Sequence, residues 1–338
     1  MEAVVDGTPV WFRSEDVVLR ASPEAFGSAM LIPSLLARRR LEVSDRVDPA
    51  WLDNIGAVPT VIGQWWDVAQ VTPKAQLATG TTRRPATSGR ALCFTCGIDS
   101  FHALEQTGFE PDTLVLALGY DIMLDDAPRA ADVVLRTRSV AEHHGLNSIV
   151  ISTNVRSHPS FADTNWEQTH GGALAALGHL LAEHIGVLGI ASSFPREHSR
   201  PWGSRWDLDP LWSSSAVAIR HLGDDLRRED KIAALPEESL AWHHLQVCWE
   251  HNSATGNCGT CDKCVVTAVG LAGRGRRAPG LLSDGDLLAA IDSLRTTRYV
   301  NSYERMLAGE VIPGALRASA SALLARSAAD ERTATDPT

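Results

Sequence analysis

Leu92-Cys93-Phe94-Thr95-Cys96-Gly97-Ile98-Asp99-Ser100-Phe101-His102-Ala103-Leu104 is the stretch on which the reading of this 338-residue chain turns. An apolar strand runs into a tight turn of small residues and then into a helix. Backbone N–H groups and the positive helix end therefore converge on one point, which makes an anion cradle. The plainer alternative is an ordinary strand-turn-helix in which Asp99 and Ser100 only cap the helix.

Outward from this loop, short apolar runs alternate with helical patterns. Ala91–Phe94 precedes a helix over 100–107, Thr113–Leu118 one over 128–143, and Ser148–Ser152 one over 172–184; Val187–Ala191 closes the series. Such alternation predicts an α/β fold with a doubly wound parallel sheet, helices on both faces and ligands at the carboxyl ends of the strands. Upstream, residues 1–80 read as a small α+β appendage. Its strands are Val4–Val5, Val10–Phe12 and Val17–Leu19, and its helices run from Ala25 to about Arg38 and from Pro49 to about Trp66. Ala78–Gly89 has linker composition and is the expected boundary. The α/β domain then spans 90–247, a cysteine-rich helical segment 248–326, and a polar tail, expected to be disordered, 327–338.

Composition narrows the function. With 44% apolar and 21% charged residues the chain is an ordinary globular protein, and a net charge of −10 disfavours nucleic acid as a partner. The most apolar stretch, Gly171–Ser193, is interrupted by His179, Glu183 and His184, so no membrane span is expected. The N-terminal residues carry no basic or apolar export signal, and a cytoplasmic location follows.

In a reducing compartment, spaced cysteines bind metal or do chemistry more often than they form disulfides. Cys248, Cys258, Cys261 and Cys264 follow a C-x9-C-x2-C-x2-C spacing with Gly256 and Gly259 between them. Four thiolates at that spacing suit a structural Zn²⁺ site, with an iron-sulfur cluster as the alternative and a disulfide set as the plain reading.

Thr95 to Ser100 resembles the S-G-G-x-D-S loop of the PP-loop ATP pyrophosphatase superfamily. Together with the cysteine run it is most similar to the branch that contains 7-cyano-7-deazaguanine synthase; the resemblance covers about residues 90 to 270. It implies that Thr95, Cys96, Gly97, Ile98, Asp99 and Ser100 line the β- and γ-phosphates of ATP, with Asp99 supporting Mg²⁺. It further implies that Leu118 and Gly119 hold adenine and that the four cysteines hold Zn²⁺ in what is usually a homodimer. Thr95 replaces the family's Ser, and Cys96 its first Gly, where backbone must approach phosphate or φ must be positive. The family's lysine after a Pro-Leu pair is also missing, since Pro210-Leu211 is followed by Trp212. Its role would pass to Arg220, Arg227 or Lys231, in a stretch read as helical, and Lys231 is the catalytic choice.

Other candidates surround these. Arg196, Arg200, Trp202, Arg205 and Trp212 lie in a dense segment following a predicted strand, where arginines would grip a carboxylate and tryptophans would shield a reactive acyl group; a surface loop packed by its own aromatics is the bland equivalent. Asp121, Asp125 and Asp126 offer Mg²⁺ ligands or solvated turn acids, and Thr153-Asn154 and His170 are lesser candidates. The leading function is an ATP-dependent ligase that adenylates a small-molecule carboxylate or carbonyl oxygen and then takes a nitrogen nucleophile. Sulfur transfer through a reactive Cys96 thiolate is the first alternative, and nucleotide sensing without catalysis the second.

Overall fold

Asp6 and Gly7 both have positive φ, 48° and 82°, the two-residue turn that suits the twist of paired strands. They fold Glu2–Val5 (β1) back on Thr8–Arg13 (β2). The computed structural model describes residues 1–78, 87–162, 164–251, 253–278, 280–282, 284–309 and 311–335. After the hairpin come Pro23–Leu36 (α1), Glu42–Val47 (β3), Pro49–Gly56 (α2), Val58–Ile62 (α3) and Lys74–Leu77 (β4). β3 and β4 pair in parallel as a separate small sheet. The α/β part runs Arg90–Cys93 (β5), Ile98–Gln106 (α4), Thr113–Leu118 (β6), Ala127–His143 (α5), Asn147–Thr153 (β7), Trp166–Leu180 (α6), Val187–Ala191 (β8) and Ala218–Leu222 (β9). Helices Arg228–Ala234 (α7), Ala241–His244 (α8), Asp262–Ala272 (α9), Asp284–Ser293 (α10), Val300–Ala308 (α11) and Gly314–Thr335 (α12) complete it.

The main sheet has the order β1-β2-β7-β6-β5-β8-β9, with β5 to β9 parallel and the hairpin antiparallel at one edge. Direction reverses between β5 and β8, because β6 and β7 build outward on one side of β5 and β8 and β9 on the other. In doubly wound sheets the ligand crevice lies at that point, at the carboxyl ends of the strands. Alternating residues of β5 face different layers. Ala91 and Cys93 join a core with α1 and α6 residues, whereas Leu92 and Phe94 join one with Ile98 and Phe101 of α4 and Val265's neighbour Cys264 of α9.

Several expectations change. The first 80 residues are no appendage: β2 pairs with β7, Phe12 opposite Thr153, and Ala29, Leu31 and Leu35 of α1 share the core of α6. Val17–Leu19 is not a strand; Asp16 beside it accepts from the Val150 amide at 2.7 Å and ties this loop to β7. The helix expected over 49–66 breaks into α2 and α3 before Pro59, which cannot donate in a helix interior. Arg220 lies in β9 rather than in a helix. The expected disordered tail is largely helical, since α12 continues to Thr335 and the buried Ser327 accepts from the Thr297 amide at 3.0 Å. Most of the expected boundary, 79–86, and the last three residues lie outside the described residues. No helix among the described residues is long and apolar enough to cross a membrane.

Candidate functional site

β5 is held in the sheet up to Phe94, whose amide donates to the Val115 carbonyl at 2.9 Å. The chain then turns at Cys96, with φ of +57°, and α4 starts after Gly97. No side chain caps this helix end, so its first N–H groups have no internal partner of that kind. A Cβ at Gly97 would lie 3.8 Å from Thr95 Oγ1 and 3.9 Å from both Ser100 Oγ and the Gln246 carbonyl. Gly97 thus leaves open a bowl rimmed by two hydroxyls over a helix N-terminus. The Ser100 hydroxyl donates to the Gly97 carbonyl at 2.9 Å, and Thr95 is exposed.

Positive charge gathers beside this bowl. Asp99 accepts from Lys231 Nζ at 3.1 Å and from Arg228 at 3.2 Å. Burial raises the Asp99 carboxyl, but the Lys231 ammonium and then the Arg228 guanidinium outweigh it and hold the carboxyl below its usual range. Lys231 is fully buried and also donates to the Ser192 carbonyl at 2.5 Å, just past β8. Arg228 donates to Thr267 on α9 at 3.2 Å, while its Nε is buried without a partner. Lys263 lies 4.3 Å from the centre of the Trp249 ring and within electrostatic reach of Asp99, Arg228 and Asp121. Burial, then Arg228, draws its ammonium down to about 8. Asp99, Arg228, Lys231 and Lys263 come from three separate segments, and together they make the loop electropositive.

Both Asp99 oxygens, expected to support Mg²⁺, are engaged by cations here. Asp121 is exposed and has one oxygen engaged by the Trp166 indole at 2.8 Å. Asp126 caps α5 and pairs with the buried Arg129, rather than standing as a solvated turn acid.

Cys96 is not the reactive thiol that its place before a helix suggests. It is fully buried, 3.8 Å from Thr137 Oγ1, and burial pushes it up to about 12. Its backbone occupies the left-handed region for which glycine is best suited, while its side chain turns into the core.

The four cysteines do converge. Their sulfurs all lie within 4.8 Å of one another, with Cys248–Cys261 and Cys258–Cys264 at 4.0 Å. A single tetrahedral ion with bonds of about 2.3 Å needs sulfurs about 3.8 Å apart, so the cluster fits one ion such as zinc with little contraction. Cys258 accepts from the Cys261 amide at 3.3 Å, and Gly259 between them takes φ of +74°. Hydrogen bonds with Cys261 and Cys264 lower Cys248, while those with Cys248 and Cys261 raise Cys264. Two residues outside the ligand set hold the cluster in shape. Buried Asn257 accepts from Val247 at 2.8 Å and donates to Leu245 at 2.8 Å, and buried Arg129 donates to the Gly256 carbonyl at 2.9 Å. The cluster is also tied to the loop, because the Gln246 amide donates to the Cys96 carbonyl at 2.8 Å.

The remaining candidates scatter. Trp212 is fully buried in the core and unavailable to a substrate. Arg205 is committed to Asp207 by two bonds of 2.7 Å and stacks on Trp65; Arg196 pairs with Asp224 and lies over Trp206. Trp202 packs against His170 and Phe194, with Arg200 over it. Asn154 holds the hairpin, accepting from the Trp11 amide and donating to the Pro9 carbonyl. Arg227 meets His198, and Arg220 lines a cleft with Thr87, Arg90 and Gly186 at the amino ends of the strands, away from the loop. Gly119 sits where adenine was expected, but its amide donates to the Ile122 carbonyl at 2.7 Å; Leu118 ends β6 beside it, half-buried. A larger groove of about 760 Å³, along the hairpin and α5, includes none of the loop or cysteine residues. Arg228, in the charged stretch with Arg227 and Lys231, and Lys263, inside the cysteine run, were given no role from sequence; a cation two residues into a C-x2-C run is the signal that would have raised Lys263. Comparison with protein-family models, with curated proteins and with solved structures gives no match.

Proposed function

We propose that this chain is an ATP-dependent ligase of the PP-loop type. The carrying observation is the meeting, at the carboxyl ends of β5 and β8, of an uncapped helix end, the Gly97 bowl and the cations Arg228, Lys231 and Lys263. Triphosphate is the common ligand that needs all three. In this reading a substrate carboxylate or carbonyl oxygen attacks the α-phosphorus and pyrophosphate departs onto the loop; a nitrogen nucleophile then attacks the activated carbon and AMP leaves with the oxygen. The chain's residues act by positioning and by neutralising developing charge. Mg²⁺ would enter with the nucleotide, for which Asp121 fits better than Asp99. A single zinc ion in the four-cysteine cluster would be structural. The burial of Cys96 counts against sulfur transfer through its thiol.

The test is release of AMP and pyrophosphate from Mg-ATP, with and without pooled small metabolites plus ammonium. Metabolite-dependent release that Asp99→Ala lowers by about 100-fold or more is expected. ATP binding with no AMP from any mixture overturns the ligase reading.

A further inference from the structure

Two connections join the cysteine segment to the loop at 95–100, and neither is needed merely to hold a metal. The Gln246 amide, two residues before Cys248, donates to the carbonyl of Cys96. Arg228, which holds Asp99, is itself held by Thr267 on α9, one turn beyond Cys264, and Thr267 Oγ1 donates back to the Lys263 carbonyl at 2.7 Å. Lys263 stands between the ligands Cys261 and Cys264, so the fold that closes the cluster also sets the direction of its side chain. That side chain ends over the half-exposed Trp249, the residue after Cys248, and within electrostatic reach of Asp99 and Arg228. An ammonium over an aromatic face is held by a weak interaction, and a phosphate oxygen displaces it readily. Arg228 Nε, buried and without a partner among the described residues, is a second donor with nothing to bind.

We propose that Lys263 is a phosphate-contacting residue of the loop site and that the four-cysteine cluster is its positioning device, so that metal loading and anion affinity are coupled. This rests on the reading that the 95–100 loop binds phosphate. By thermodynamic reciprocity, whatever factor the metal adds to anion affinity, the anion adds to metal affinity.

The experiment titrates inorganic pyrophosphate into the zinc-loaded full chain by calorimetry, with zinc content and far-ultraviolet circular dichroism measured on every sample. Lys263→Met is expected to weaken binding about 10-fold or more at unchanged zinc content, and Lys263→Arg to stay within a few-fold of wild type. Chelator-stripped wild type should lose a similar factor, and stripping should cost Lys263→Met little more. Quenching of the Trp249 signal on titration, identified by its absence in Trp249→Phe, reports movement of the ammonium off the ring. If stripping unfolds the chain, the loaded Met and Arg variants decide alone. Wild-type binding that Lys263→Met leaves intact overturns this inference and spares the loop reading; no pyrophosphate binding by wild type overturns the loop reading itself.

Discussion

Cys96 shows how a residue other than glycine can hold the left-handed backbone of the turn between β5 and α4. A left-handed φ costs an ordinary residue about 1–2 kcal/mol, and here burial of the thiol beside Thr137 offsets it. Cys96→Ala keeps the backbone problem and loses only the sulfur, so a stability loss of about 1 kcal/mol by urea denaturation is expected. AMP release should survive, and a folded Cys96→Ala protein without it would show that the thiol takes part in the chemistry. Cys96→Val adds a β-branch at positive φ, where such residues are outliers, and should cost more than Ala. Sequence alone made the substitution visible; which way the thiol points depended on packing against α5, some forty residues away.

Among the elements, those stabilised locally were the legible ones. β6 and β8 fall where their continuous apolar runs lie, as buried parallel strands should, and the strand-loop-helix at 90–106 was readable because the apolar run, the small turn residues and the helical pattern follow one another. β9 was missed because its Arg220 and His221 break the apolar run at a sheet edge, and β3 because its Glu42, Ser44, Asp45 and Arg46 leave little apolar pattern. The hairpin was legible as strands, but its docking on β7 pairs Phe12 with Thr153, a contact no local pattern encodes. The turn closing β6 makes a sharp prediction. Gly119 has φ of +92°, and a Cβ there would stand 1.8 Å from the Thr153 carbonyl oxygen, which as backbone cannot swing aside. Gly119→Ala should destabilise by about 3 kcal/mol or more. Gly108→Ala, also at positive φ but with nothing within 4 Å, should cost only about 1 kcal/mol. Equal costs at the two sites would mean that the β6–β7 end adjusts freely.

At the scale of the whole molecule, the N-terminal segment and the α/β sheet share one core, and a histidine sits in their seam. His179 of α6 is buried and donates from Nε2 to the Trp212 carbonyl at 2.9 Å, with Glu24 of α1 near enough to act on it. Burial draws its pKa down from 6.5 to about 4, against the opposing pull of Glu24 and the Trp212 carbonyl. The unfolded chain therefore takes up a proton near pH 6.5 that the folded chain refuses until about pH 4. Stability is whole above the unfolded value and declines as pH falls through that window, by an amount on the order of 3 kcal/mol at its lower end. Urea midpoints measured from pH 7.5 to 4.5 should fall accordingly. His102 and His170 are lowered by burial as well and add to the decline, so the decisive comparison is with His179→Gln, which keeps an amide donor for Trp212 and removes one titrating group. Its curve should start lower at neutral pH, from imperfect packing, and descend less steeply below pH 6.5. Parallel curves would mean that the seam opens to admit water before His179 is protonated, and that the N-terminal segment and the sheet do not unfold as one body.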